Sequence, residues 1–253
     1  MSTPHFPAEL LDHVVDHLHD TKYTLRSCCL VSKSWIPRAR KHLFANIRFD
    51  DKEDLESWKE IFPDPSISPA GYTKTLIVRC LHVVTAADAE VGGWIGGFSR
   101  VVHLKLGHNN TSRVSLLPFR GFSPLIKSLH VEFATLPFSH TLDLILSFPL
   151  LEDLSVITSD EVVAEDGDGS DGLPTVIQPS NPPMFTGCLK LETTGLKPIT
   201  RQLLSLPGGI HFRNFTVMWK HEEDISWTAA FVERCSHTLE SLDIACDPYG
   251  AVI

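Results

Sequence analysis

Apolar residues at helical spacing open the chain, and after about residue 70 they give way to short, alternating apolar strings. In "FPAELLDHVVDHL", residues 6 to 18, Leu10, Leu11, Val14, Val15 and Leu18 form one helical stripe, while Asp12, His13, Asp16 and His17 fill the other side. Pro7 suits the first turn of this helix, and Glu9 sits at the positive end of its dipole. A second short helix is predicted over 24–31, with Leu25, Cys28 and Cys29 apolar and Arg26 outward. Ser34 is the N-cap candidate of a third, with Pro37 in its first turn and Trp35 or Ile36, Ala39 and Leu43 inward. Three helices in about forty residues are too few to bury all these groups by themselves. Either they cap the larger domain, or part of their apolar surface meets another protein.

The next segment, "DDKEDLESWKEIF" at 50–62, has a cap candidate in Asp50 or Asp51 and a stripe of Leu55, Trp58, Ile61 and Phe62, ended by "PDPSISP". It predicts a helix docking the front module onto the rest of the chain. Beyond residue 70 come "KTLIV", "VVHLKL", "IKSLHV", "LEDLSV", "CLKLE", "RNFTV" and "LESLDI". Taking Leu76, Leu104, Leu129, Leu154, Leu189, Phe215 and Leu242 as equivalent gives spacings of 28, 25, 25, 35, 26 and 27. A period of this size marks a repeat array of short parallel strands, each with a helix or loop on its other side. In "FSHTLDLILSFPLLEDL", Leu142, Ile145 and Leu146 form the helical stripe and Pro149 ends it. Phe98-Ser99, Phe122-Ser123-Pro124 and Phe148-Pro149 mark returning turns. An ordinary α/β sheet with crossover helices is the competing reading. The spacing of 35 coincides with an acidic insertion at 159–174. The chain ends at "DPYGAVI" without a polar cap, so either a short tail closes the array or more protein lies beyond it.

Composition narrows the function. The 253 residues are 43% hydrophobic and 21% charged with net charge −9, which predicts a globular chain. Residues 1–50 hold seven Lys/Arg against five Asp/Glu, and the rest hold 15 against 26. An acidic main domain without a basic stripe argues against nucleic acid, and a slightly basic front suits an acidic protein partner. The absence of a signal-peptide pattern or an apolar run of membrane-spanning length predicts a cytoplasmic or nuclear location with no membrane partner. There the six cysteines, none in a C-x-x-C pair, should be reduced and serve as small buried hydrophobes.

The front segment, "FPAELLDHVVDHL", then "TLRSCCLVSKSW", then "ARKHLF", resembles an F-box, the three-helix module that binds the Skp adaptor of cullin-type ubiquitin ligases. The family's opening motif is matched by Phe6, Pro7, Glu9, Leu10 and Leu11, its V-[CS]-[KR]-x-W by Val31, Ser32, Lys33 and Trp35, and its closing pair by Leu43 and Phe44. Phe6 stands where leucine is commoner, and "HDTKYT" replaces the usual Asp-Leu helix start. The later units look like the degenerate leucine-rich repeats that often follow F-boxes in fungal proteins. The resemblance implies an F-box over residues 5–48, a linking helix and Pro-rich turn over 49–70, and a leucine-rich-repeat-like domain over 71–253, an α/β chain. It implies an adaptor surface drawn from Phe6, Pro7, Leu10, Leu11, Val14, Leu25, Val31 and Trp35, a cullin scaffold reached through the adaptor, and a target protein on the repeats. Catalysis would be borrowed, so the chain is expected to be no enzyme and to need no cofactor. The alternative is a repeat scaffold without ligase function.

Candidate chemistry elsewhere is thin. In the acidic insertion, an EF-hand register starting at Asp166 puts Asp171 where glycine is needed and Ile177 where glutamate is needed, so a solvated loop, with Ser170 as a modification candidate, is the better reading. His13 and His17 have zinc-compatible i, i+4 spacing with His19 nearby but no evident third ligand. "NNTS" at 109–112 and "NFT" at 214–216 match glycosylation sequons that a chain without a secretory signal leaves unused. "GGWIGG" at 92–97 lacks the Lys-Ser/Thr of a phosphate loop and reads as a flexible turn carrying Trp94. No G-x-S-x-G elbow or catalytic carboxylate frame is present.

Overall fold

A computed structural model of the chain describes residues 7–79, 94–108, 116–133, 138–161, 183, 185–194, 197–206, 209–219 and 223–246. Phe6, Cys80, Gly92, Gly93, "NNTS", residues 162–174 of the acidic insertion and "DPYGAVI" lie outside the described residues.

The chain is α/β. Helices α1 (Ala8–His17), α2 (Lys22–Val31) and α3 (Ile36–Leu43) come first, then β1 (Asn46–Phe49) and α4 (Lys52–Ile61). Strands β2 (Thr75–Val78), β3 (His103–His108), β4 (Ser128–Phe133), β5 (Asp153–Glu161), β6 (Cys188–Thr194), β7 (Asn214–Trp219) and β8 (Ser241–Cys246) complete the sheet. Between the later strands run α5 (Phe138–Leu146), α6 (Lys197–Leu204) and α7 (Glu223–Cys235). The strands form one eight-stranded, all-parallel sheet in sequence order, β1 to β8, without the order reversal of a doubly wound sheet.

Its register aligns the periodic positions. Leu76, Leu104, Leu129, Leu154, Leu189, Phe215 and Leu242 are partners across successive strands, and Ile47 of β1 extends the same row. Alternate residues point to one face. The row and its i+2 neighbours, such as Leu106, Val131, Val156 and Leu191, are therefore buried from β2 through β7. β1 falls across the boundary drawn between the front module, 5–48, and the linker, 49–70, and was not foreseen, because four residues are too short to show alternation.

The turns repeat as well. The residue before a strand offers its carbonyl to the last residue before the next strand and, except at β6, where the Asp153 carboxylate takes Cys188 N, to that strand's first N–H. Ala45 accepts from Lys74 and Thr75, Lys74 from Val102 and His103, Val102 from Lys127 and Ser128, and Lys127 from Glu152 and Asp153. Gly187 and Arg213 do the same for the last two strands. Buried hydroxyls tie these turns to the preceding unit: Thr73 donates to Phe44 O at 2.9 Å, and Ser123 to Val101 O at 2.8 Å. Phenylalanines at or near the turns pack behind the sheet, Phe122 against Phe148 and Phe185 against Phe212.

Several local expectations change. Asp51 caps α4 by accepting from Asp54 N at 2.9 Å, but Ile61 of its stripe is exposed. Ser34 does not cap α3; its hydroxyl meets that of Ser32, and Trp35 occupies the cap position. Trp94 is no flexible-turn residue, because its ring is buried against Phe49 and Phe98. Residues 159–161 continue β5, with Glu161 partnering Thr194. Cys28 and Cys235 are buried, but Cys188, whose strand position faces away from the core, and Cys246, at the end of the exposed strand β8, are exposed.

Candidate functional site

The front helices have a core of their own. Val15 from α1, Leu25 and Cys28 from α2 and Ala39 from α3 are buried together, with Leu18, Cys29, Trp35 and Leu43 closing the rim. An ionic clamp joins α1 to α3: Arg38 donates to both carboxylate oxygens of Asp16, through Nε at 2.5 Å to Oδ1 and through Nη2 to Oδ2. His42 Nε2 lies 2.7 Å from the same Oδ1. Hydrogen bonds from Arg38, and then from His42, hold the Asp16 carboxyl well below the usual carboxylate range. The pattern placed Asp16 on a polar face; only the crossing of α1 and α3 brings in Arg38, 22 residues away.

This small core leaves much of the apolar pattern uncovered. Leu10 and Val14, one turn apart on α1, are 49% and 47% exposed, and Leu30 and Val31 at the end of α2 are 88% and 70% exposed. Tyr23 at the start of α2 is also exposed. Of the residues that the resemblance implicates, Pro7, Leu10, Val14 and Val31 are exposed and Leu11 and Trp35 half-buried. Leu25 has no accessible surface, so it can support the module but cannot touch a partner. Leu30 and Tyr23 escaped the sequence reading. Their signal was present: 23 and 30 lie seven apart, two turns along one face of α2.

Family models, curated proteins and solved structures yield no match to this chain.

The sheet offers a second surface on the face away from its core. One row there runs Arg48, Ile77, Lys105, His130, Ser155, Lys190, Thr216 and Asp243 across the eight strands. His130 sits 2.9 Å from the Ser155 hydroxyl. Burial, with Lys105 and Lys190 adding to it and Glu132 opposing, holds the imidazole below its usual range. Lys190 pairs with Glu192 at 2.8 Å, so the row is a mixed polar surface rather than a cationic stripe.

A cleft of about 920 Å³ lies between the end of α6 and the end of α7, with His211, Glu233, Arg234 and His237 on its walls. It opens at a helix C-terminus, where the backbone dipole disfavours anions. His13 and His17 both lie on the exposed side of α1. Among the described residues no group of three or more His, Cys, Asp or Glu is arranged to hold a metal ion, and no helix is long and apolar enough to cross a membrane.

Proposed function

We propose that this chain is the substrate receptor of a Skp-cullin-F-box ubiquitin ligase, with an F-box at the front and a leucine-rich-repeat-like domain behind it. The observation that carries the reading is the exposure of Leu10, Val14, Leu30 and Val31 on helices whose inner faces are already packed. Helices that merely capped the sheet would have turned these groups inward, since leaving four large aliphatic side chains in water forgoes about 1.5–3 kcal/mol apiece. The ordered motif from Pro7 through Trp35 to Phe44 supports the same reading. The aligned row from Ile47 to Leu242, in strict sequence order, supports the repeat domain.

In this role the front helices would seat Leu10, Val14, Leu30 and Val31 in apolar pockets of the Skp adaptor, with a few anchors dominating the affinity. The face bearing Lys105, His130 and Lys190 would hold the target. Holding a target beside a charged conjugating enzyme raises the effective concentration of its lysines at the thioester, so the receptor needs no nucleophile.

Binding of the full chain to a purified Skp adaptor tests the proposal by calorimetry. A Kd below about 1 µM, lost in a folded Leu10→Asp, Val31→Asp variant, is the expected result. No binding by the folded wild-type chain would overturn it and leave a scaffold without ligase function.

A further inference from the structure

α1 is not turned the way its apolar stripe would turn it. At about 100° per residue, Leu10, Val14, Leu18, Leu11 and Val15 span about 140° of the helix surface, with the centre of the stripe near Leu18. A helix placed by burial alone points that centre at the core. Here the buried member is Val15, at one edge of the stripe and about 70° from its centre. Leu11 and Leu18 are half-buried, and Leu10 and Val14, at the opposite edge, are exposed. On the other side of Val15, about 100° further round the helix, Asp16 is engaged by Arg38 through both carboxylate oxygens and by His42 through one. Asp12, one turn before Asp16 on the same flank, adds to the attraction for Arg38. Val15 thus stands between exposed apolar groups on one flank and a charged anchor on the other. α3, which supplies Arg38 and His42, packs against both α1 and α2.

We propose that the Asp16–Arg38 clamp is a display device: it holds α1 rolled off the orientation that burial favours, and so keeps Leu10 and Val14 on the surface for the adaptor. The inference rests on the receptor reading for its partner, while the roll itself does not. A guanidinium donating to both oxygens of one carboxylate fixes direction as well as distance. Rolling α1 to bring Leu10 and Val14 inward would carry Asp16 away from Arg38 and out into water, so burial of the stripe and closure of the clamp exclude each other. With the clamp closed, α1 contributes Leu10 and Val14 to the exposed surface and α2 contributes Leu30 and Val31. With it open, the α1 half turns toward the module's own core. Asp16, Arg38 and His42 are thereby positioning residues, which act on adaptor binding through Leu10 and Val14.

The roll can be read without any adaptor. In a full-length Val14→Cys chain, thiol alkylation at position 14 is followed by peptide mass spectrometry, because Cys188 and Cys246 are exposed as well. Adding Arg38→Met, which leaves α1 unaltered, should slow alkylation several-fold as position 14 turns inward. A clamp that only stabilised the helices would, on its loss, leave alkylation unchanged or speed it. In the otherwise native chain, Arg38→Met should weaken binding to a purified Skp adaptor about tenfold, and Arg38→Lys, which keeps the charge without the fork, should fall between. If Arg38→Met fails to fold, Asp16→Ala takes its place. Alkylation that is unchanged or faster overturns the proposal, and so does slowed alkylation with undiminished adaptor binding. A folded wild-type chain that binds no adaptor overturns the receptor reading instead, and alkylation alone then decides the roll.

Discussion

The front helices and the sheet handle the same problem, an excess of apolar side chains, in opposite ways. Behind the sheet, 36 buried hydrophobic residues among those described merge into one cluster that draws in α4, the turns and the later helices. The front helices bury only Val15, Leu25, Cys28 and Ala39 as a separate cluster, and leave larger groups in water. In a parallel sheet whose strands follow in sequence order, each strand and its connection cover the next, so burial accumulates across the sheet. Three short helices have no such neighbour, and their stability rests on a few contacts and on the Asp16 clamp. The surface most available to a partner is therefore on the region with the least stability to spare.

The sharpest way to break this contrast is in the aromatic part of the cluster behind the sheet. Phe98 is buried with its ring 5.7 Å from both Trp58 and Trp94 and 6.2 Å from Phe49. Phe98→Ala should cost about 3–5 kcal/mol and lower the denaturant midpoint of the sheet. A loss below a third of that would show that the aromatic cluster repacks around the gap.

Next is the re-entry to β6. A Cβ at Gly187 would collide with the Asp153 carboxylate and come within 3.1 Å of the Glu152 carbonyl. That carboxylate accepts from Cys188 N at 2.7 Å. Gly187→Ala should cost about 2–3 kcal/mol in chemical denaturation, and Gly187→Ala combined with Asp153→Ala should recover part of it.

The clamp separates the regions directly. Asp16→Ala leaves the half-buried Arg38 unpaired and should cost the front helices about 1–2 kcal/mol, seen as faster hydrogen exchange over 8–43 with exchange in the sheet unchanged. Its acid response has a definite sign. Because the folded Asp16 value is depressed, the clamp contributes in full above the ordinary carboxylate value, about pH 4, and loses that contribution as pH falls through the folded value. The front helices should loosen in acid before the sheet does, and Asp16→Asn should flatten that dependence.

The smallest effect on stability is expected at the proposed adaptor surface. Leu30→Ser changes an almost fully exposed position, so melting should move by no more than about 0.5 kcal/mol, while adaptor binding weakens. A large loss of stability would mean that Leu30 packs against this chain.

Spacing alone determined much of the architecture. The seven equivalent positions from Leu76 to Leu242 pair residue for residue across the strands. α1 and α2 lie where the apolar stripe put them, beginning within about two residues of the predicted starts. Periodicity reports which residues share a face, and a strand or helix preserves that information through folding. It does not report what covers the face. Leu10 and Leu25 are equally apolar in sequence, yet one is half in water and the other wholly buried, because only the crossing of three helices chooses the side that becomes core. The same holds for Asp16, Arg38 and His42, which no local pattern joins, and for Leu242 and Ile244, which carry a core pattern yet are exposed on β8 among the described residues. Local spacing sets the elements and their register, and the tertiary arrangement decides which surfaces are left for a partner.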